Sequence, residues 1–191
     1  MLERAYDHSS WHGPNLRGSI RGVTPMLAAW RPAPGRHNIW ELIVHSAYWK
    51  YVARDRMTEG EHRATFPLGG HNWYARPSRP VEVGVYAPDG TGLQVPSDVS
   101  ERGRRAPLLA DRSPARQLRN DIALLEAEHR ALLDLVRNMP PRLLHKKIGK
   151  GQHTYLSTIA GVAAHDIYHA GQIQLLKAFW RTVQRRKPSH P

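Results

Sequence analysis

Four stretches of the sequence carry apolar residues every three or four positions, the spacing of one buried helix face. The first stretch runs from Leu16 to Trp30, but Thr24-Pro25 interrupts it. Proline in mid-helix removes a backbone donor, whereas threonine followed by proline is typical of a helix start. We therefore predict one helix over about 14–22 and a short helical segment that ends at Trp30. The other three helices are predicted over about 38–58, 113–139 and 154–180.

Residues at the predicted helix ends support these limits. Asn38 and Glu41 have the spacing of a capping box, in which each side chain accepts a hydrogen bond from the backbone of the other residue. Ser113-Pro114 is a typical helix start, and Pro140-Pro141 ends the third helix. Four amphipathic helices with little strand signal predict an all-α fold, organised as a four-helix bundle.

The segment over about 60–112 lacks helical periodicity and is rich in proline, glycine and arginine. Weak alternation over 81–86, a Pro-Asp-Gly turn and the apolar residues of 93–95 indicate a hairpin, with disorder around 97–105 as the alternative. A connection of this length lets the chain cross the bundle, so we expect a long irregular crossover between the second and third helices. Residues 1–191 are expected to form a single domain with this excursion.

Composition excludes several classes of protein. No apolar run approaches the roughly 20 residues of a membrane-spanning helix, and the N-terminus lacks the apolar core of a signal peptide. The absence of cysteine excludes disulfides, thiolate metal sites and a cysteine nucleophile, and it favours a reducing compartment, the cytoplasm. The 28 Lys+Arg against 16 Asp+Glu give a net charge of +12, which favours anionic partners without identifying one.

Histidines on the predicted helix faces are the strongest functional signal. His165 and His169 are four residues apart, so their side chains project from one helix face about one turn apart and can bind one divalent cation. His45, on the apolar face of the second helix, is the best third ligand. Burying three imidazoles without partners would leave many polar atoms unsatisfied, although a single such histidine is usually a hydrogen-bonded core residue. Three histidines leave a coordination position open for water, as in catalytic metal sites.

Other polar residues near these positions are candidates for supporting roles. His129 interrupts the apolar face of the third helix, so it could be a ligand, a neighbour of a ligand or a core residue. Asp166, His129 and Tyr168 are the candidate catalytic groups. Glu41, Asp166 and Gln172 are candidates to orient ligand imidazoles through hydrogen bonds. Glu41 as a capping residue and Asp166 as an ordinary polar group between helices are the structural alternatives.

Two motifs resemble a known family. Asn38-Ile39-Trp40-Glu41-Leu42 is followed by His45, and residues 165–173 read His-Asp-Ile-Tyr-His-Ala-Gly-Gln-Ile. With these motifs, and with Trp11-His12-Gly13-Pro14 and Trp30-Arg31-Pro32, the chain resembles the DinB superfamily outside residues 60–112. The resemblance implies a bundle of up-down-down-up order, a divalent metal on His45, His165 and His169, and a homodimer. Zinc, nickel and iron all suit three imidazoles.

The sequence therefore favours a metal-dependent enzyme that acts on a small molecule. Members of the family that it resembles include transferases that use low-molecular-weight thiols and proteins described as hydrolases, so we expect a thiol-dependent transferase or a hydrolase. His165-Asp166-x-x-His169 also resembles the zincin protease motif, with aspartate in place of the glutamate base. The net charge of +12 leaves open a nucleic-acid-binding or DNA-damage-related interaction protein without catalysis, although no known nucleic-acid-binding motif is present. A purely structural bundle is the remaining alternative.

Overall fold

The computed structural model of the protein describes residues 1–60, 65–78 and 113–185. Within these ranges the chain is helical and forms no strand. A short 3-10 helix (Pro141–Leu143) follows the fifth α-helix, and an isolated bridge joins Lys147 to Thr154. The α-helices are α1 (Leu2–Tyr6), α2 (Leu16–Ile20), α3 (Pro25–Ala29), α4 (Ile39–Met57), α5 (Pro114–Asn138) and α6 (Tyr155–Arg185).

The N-terminal region contains three short helices, whereas the sequence predicted that it supplies the first helix of a four-helix bundle. The all-α prediction is confirmed for the described residues, but only three of the helices are long, and a four-helix bundle is not confirmed. The predicted break is present, since Thr24 caps α3 by accepting a hydrogen bond from Leu27 N, with Pro25 at the first helical position. Sequence periodicity missed α1 because five residues are too few to show a helical repeat. The up-down-down-up order stays a prediction.

Helix α4 is the central element of the fold. Its capping box is present, with the Asn38 side chain accepting from Glu41 N and the Glu41 side chain accepting from Asn38 N. Every residue over 39–47 is buried, because α3, α5 and α6 all pack against this helix. A helix that is covered on all sides places polar side chains in the interior as well as apolar ones. His45 and Lys50 are buried for this reason.

Two apolar clusters lie along α4. The first joins the short helices α2 and α3 to the N-terminal half of α4, with Leu125 of α5 and Ile173 of α6 fully buried in it. The second joins α1 to the C-terminal half of α4, where Leu132 of α5 packs near Ile159 of α6. Helix α6 contributes to both clusters and continues beyond its predicted end at Trp180.

The segment 65–78 is irregular but firmly attached to the helices. Asn38 Nδ2 donates to the Pro77 carbonyl at 3.0 Å, on the N-terminal side of α4. Arg76 Nε and Trp40 Nε1 each donate to Asp121 Oδ2 at 2.7 Å, which links the segment to α4 and α5. This part of the predicted excursion therefore packs on the core. The predicted hairpin over 81–95 and the alternative of disorder over 97–105 lie outside the described residues.

Of the helices that the structure describes, none combines the length and the apolar character that a membrane span needs.

Candidate metal centre

Three imidazoles meet between α4 and α6. His165 Nε2 lies 3.1 Å from His45 Nε2 and 3.0 Å from His169 Nε2. One ring nitrogen from each residue lies within 4.8 Å of the others, although 120 positions separate His45 from His165. Burial of α4 places His45 in the interior, and the four-residue spacing on α6 places the other two side by side. The structure thus brings together all three of the predicted ligands.

Hydrogen bonds to the far side of two of the rings select their tautomers. His45 Nδ1 lies 3.0 Å from the Asn72 carbonyl, and His169 Nδ1 lies 2.6 Å from Gln172 Oε1. Both partners are acceptors, so each Nδ1 carries the hydrogen and each Nε2 has a free lone pair. These lone pairs are the ones that face His165 Nε2.

A divalent cation satisfies the three ring nitrogens better than hydrogen bonds among the imidazoles can. His165 Nε2 can donate at most one hydrogen, so the lone pairs of His45 and His169 cannot both be satisfied by it. A cation accepts all three lone pairs at once, and tetrahedral zinc with zinc–nitrogen bonds of about 2.0–2.1 Å places its ligand nitrogens about 3.3–3.4 Å apart. The observed separations of 3.0 and 3.1 Å are within about 0.4 Å of that spacing, so small movements of the rings would accommodate the cation.

Burial keeps the three histidines neutral. It lowers the pKa of His45 to about 4 and the pKa of His165 to about 3, and the neighbouring imidazoles act in the same direction. Burial also lowers the pKa of His169. Neutral imidazole is the form that binds metals, so at neutral pH no proton has to leave before a cation enters.

Two residues of the irregular segment shape the site, and sequence reasoning missed both. Asn72 holds His45 through its carbonyl and accepts from Trp49 Nε1 at 3.0 Å through its side chain. Its φ of 60° is the left-handed conformation, which asparagine tolerates better than most residues. The Trp73 ring stacks on His45 at 3.8 Å between centroids and on His37 at 3.5 Å. The only sequence signal was Gly-Gly before His-Asn-Trp, which predicts a turn and no more.

Of the three candidate orienting residues, Gln172 contacts a predicted ligand and Glu41 does not. Gln172 contacts His169 as described above, and its Nε2 donates to the Tyr168 hydroxyl at 3.0 Å. Glu41 accepts from Arg31 at 2.5 Å and lies 3.0 Å from His37 Nδ1, in addition to its capping role. Its hydrogen bonds within the described residues do not reach His45. Glu41 thus stabilises the start of α4, which is the capping role given above as the alternative to orienting a ligand.

Replacing Gln172 is expected to weaken metal binding without removing it. Gln172→Leu deletes the acceptor that holds the His169 tautomer, so zinc affinity should fall by roughly 10–100-fold. Gln172→Glu keeps an acceptor at this position and should retain zinc affinity near that of the unmodified protein. Competition titrations with a chromophoric chelator measure both affinities. Equal affinity of the leucine variant and the unmodified protein would contradict this role.

Asp166 is committed to an ion pair. Its carboxylate is fully buried and accepts from Lys50 Nζ at 2.6 and 2.5 Å. Burial lowers the pKa of Lys50 and raises the pKa of Asp166, and the attraction between the two charges opposes both shifts. Asp166 therefore ties α6 to α4 one residue away from His165. Its carboxylate makes no hydrogen bond to the three histidines in the described structure.

The other two candidate catalytic groups differ in exposure, since His129 is buried and Tyr168 is exposed. His129 is buried and stacks on Tyr6 at 3.7 Å between centroids, and its two ring nitrogens have no hydrogen-bond partner among the described residues. No described contact joins it to His45, His165 or His169. Tyr168 has 62% of its surface exposed, and its ring lies 5.0 Å from that of His169. Of the three candidates, Tyr168 alone combines exposure with contact to the site.

His129 should make the protein sensitive to acid. Burial, reinforced by the charge of Lys50, lowers the pKa of His129 to about 3. An unfolded histidine has a pKa of about 6.5, so between about pH 6.5 and pH 3 only the unfolded chain binds this proton. The free energy of unfolding therefore falls as the pH falls through this window. In His129→Leu the decrease between about pH 7 and pH 5 should be smaller by roughly 2 kcal/mol.

Urea unfolding followed by circular dichroism, with a chelator present, measures this difference. His145→Leu makes the same change at an exposed position and serves as the control. An identical pH dependence in His129→Leu and the unmodified protein would show that His129 titrates normally.

Comparisons with known proteins agree with the geometry. A family model described as the DinB superfamily matches residues 10–173, a range that contains all three histidines. Searches among curated proteins and among solved structures returned no significant match. The match spans most of the 191 residues. The chain therefore belongs to the DinB superfamily.

Proposed function

We propose that this protein is a metal-dependent enzyme that holds one divalent cation on His45, His165 and His169. The observation that carries the proposal is that the ring nitrogens of His45 and His169 each lie about 3 Å from His165 Nε2, with their lone pairs directed there by the contacts of Asn72 and Gln172. Zinc, nickel and iron are the candidate metals. The reaction that we propose is a thiol-dependent transfer or a hydrolysis on a small-molecule substrate.

The protein's own residues supply binding and orientation. When bound, the cation supplies Lewis acidity and lowers the pKa of a coordinated water or thiol. Asn72 and Gln172 hold two of the ligand rings in place, and the Trp73 ring covers one face of His45. The Tyr168 hydroxyl, which Gln172 contacts, is the accessible group for moving a proton. Because the chain has no cysteine, any thiol used in the reaction comes from the substrate.

Metal analysis of the purified protein tests the proposal first. We expect about one equivalent of zinc, nickel or iron per chain, and loss of that metal on dialysis against a strong chelator. A screen with low-molecular-weight thiols and simple esters then tests for catalysis that chelation removes and the metal restores. Purified protein that neither contains nor takes up a divalent metal would overturn the proposal.

The net charge of +12 supports a second candidate, a nucleic-acid-binding protein without catalysis. Such binding depends on salt concentration and has no need of the three histidines. Salt-dependent binding of duplex DNA that persists in chelator, with no catalysis in the screen, would favour this candidate.

A further inference from the structure

A pocket of about 210 Å³ opens beside the three histidines, between α4 and α6. His165 belongs to the candidate metal centre and to the pocket, since it is one of the three converging imidazoles and also lines the pocket wall. It is also the most exposed of the three, whereas His45 and His169 are buried. Trp49 connects the two regions as well, because it lines the pocket and its ring lies 6.3 Å from that of His165. A molecule in this pocket would lie against the outer side of the candidate metal centre.

The charged group in the pocket wall is a cation. Arg56 lies at the end of α4, and its guanidinium is 5.9 Å from the centroid of the Trp49 ring. It is exposed and forms no ion pair with a described carboxylate. The described residues that line the pocket include no aspartate or glutamate, while His153 and Ser157 add polar groups. The guanidinium is thus held in place by an aromatic ring, with its donors free for an anion.

The rest of the wall is apolar and leaves space. Val52, Ala53 and Val162 line the pocket together with the Trp49 ring. Gly161 lies in the N-terminal third of α6, and a Cβ atom added there would meet no atom outside its own stretch of helix within 4 Å. The lining therefore suits a small organic molecule with an apolar body and one negative group.

We propose that this pocket is the substrate site and that it takes a small organic anion, with Arg56 binding the negative group and Trp49 and Val162 contacting the apolar body. The inference rests on the proposed function, since it assigns the substrate class of the same centre. The net charge of +12 would assist it by drawing anions toward the protein.

Two probes of equal shape test the charge requirement. 3-Phenylpropanoate carries a carboxylate, and 3-phenylpropanamide replaces it with a neutral amide. Calorimetric titration, run on the chelated protein and repeated with zinc, should show in both cases that the carboxylate binds roughly tenfold more tightly than the amide. Arg56→Gln should remove that preference by weakening the carboxylate alone. Arg130→Gln changes the net charge equally at an exposed position on α5 and should leave both affinities unchanged.

A second variant tests the location without altering any charge. Gly161→Leu places a side chain in the open space of the pocket and should abolish binding of both probes. Gly171→Leu is the matched control, because Gly171 lies on the same helix, is exposed, has equal room for a Cβ and does not line the pocket. Circular dichroism of both variants confirms that α6 is intact.

The outcomes for the pocket and for the metal are separable. Equal affinity for the two probes, full carboxylate affinity in Arg56→Gln, or carboxylate binding that needs zinc but not Arg56 would each overturn the inference, whatever the metal content. Zinc uptake measured on the same samples decides the proposed function independently. Arg56-dependent binding in a protein that takes up no metal would support anion recognition by the pocket and contradict the metal-dependent enzyme.

Discussion

The variant His165→Ala is expected to purify with almost no divalent metal, while the unmodified protein carries about one equivalent. His165 Nε2 is the nitrogen that lies about 3 Å from both other ligand nitrogens, so its removal leaves a two-histidine pair that is exposed to water on one side. The loss of affinity should exceed the roughly 10–100-fold that removal of an outer hydrogen-bond partner costs. Any activity found in the thiol and ester screen should disappear with the metal.

A matched control makes this result specific. His145→Ala is the same substitution at an exposed position outside the site, and it should keep a full equivalent of metal. Alanine favours helix and His165 is only partly buried, so the helical signal of His165→Ala should match that of the unmodified protein. A folded His165→Ala variant with stoichiometric metal would show that the three histidines do not form the site.

The substitution Asp166→Ala should be the most destabilising single change that the site allows. It removes the carboxylate partner of Lys50 and leaves a fully buried ammonium group with the Tyr6 ring 5.1 Å away and no other ion-pair partner among the described residues. Breaking a buried ion pair in this way costs about 3–5 kcal/mol of unfolding free energy. Urea unfolding monitored by circular dichroism measures the change. Asp134→Ala, at an exposed position on α5, should cost far less.

The double variant Lys50→Met/Asp166→Leu separates the charge from the packing. It replaces both ends of the ion pair with apolar groups, an exchange that is often neutral or stabilising in other proteins. We expect it to recover most of the stability that Asp166→Ala loses. If Asp166→Ala costs less than about 1 kcal/mol, the value typical of a surface ion pair, the Lys50–Asp166 pair is not the buried tether described above.

Much of the helical framework and the three-histidine set were predictable from neighbours in the sequence. The Asn38–Glu41 capping box, the Thr24-Pro25 break and the pairing of His165 with His169 all depend on residues within about one helical turn. Such short-range geometry follows from the backbone alone. The prediction of His45 needed one further step, the recognition that a polar side chain interrupts an apolar helix face.

Apart from Gln172, which is three residues from His169, the surroundings of the histidines were not predictable in this way. Lys50 reads as an ordinary surface lysine in the sequence, yet it is buried against Asp166, 116 positions away. Asn72 and Trp73 lie in an irregular segment without periodicity, and packing across the start of α4 brings them to His45.

Local spacing thus established which histidines share a helix face and placed Gln172 beside His169, whereas long-range packing established what holds the His45 ring and what charge lies beside the site. The physical reason is that helical periodicity reports contacts within a few residues. The position of an irregular segment or a buried ion pair depends instead on contacts between residues far apart in the chain.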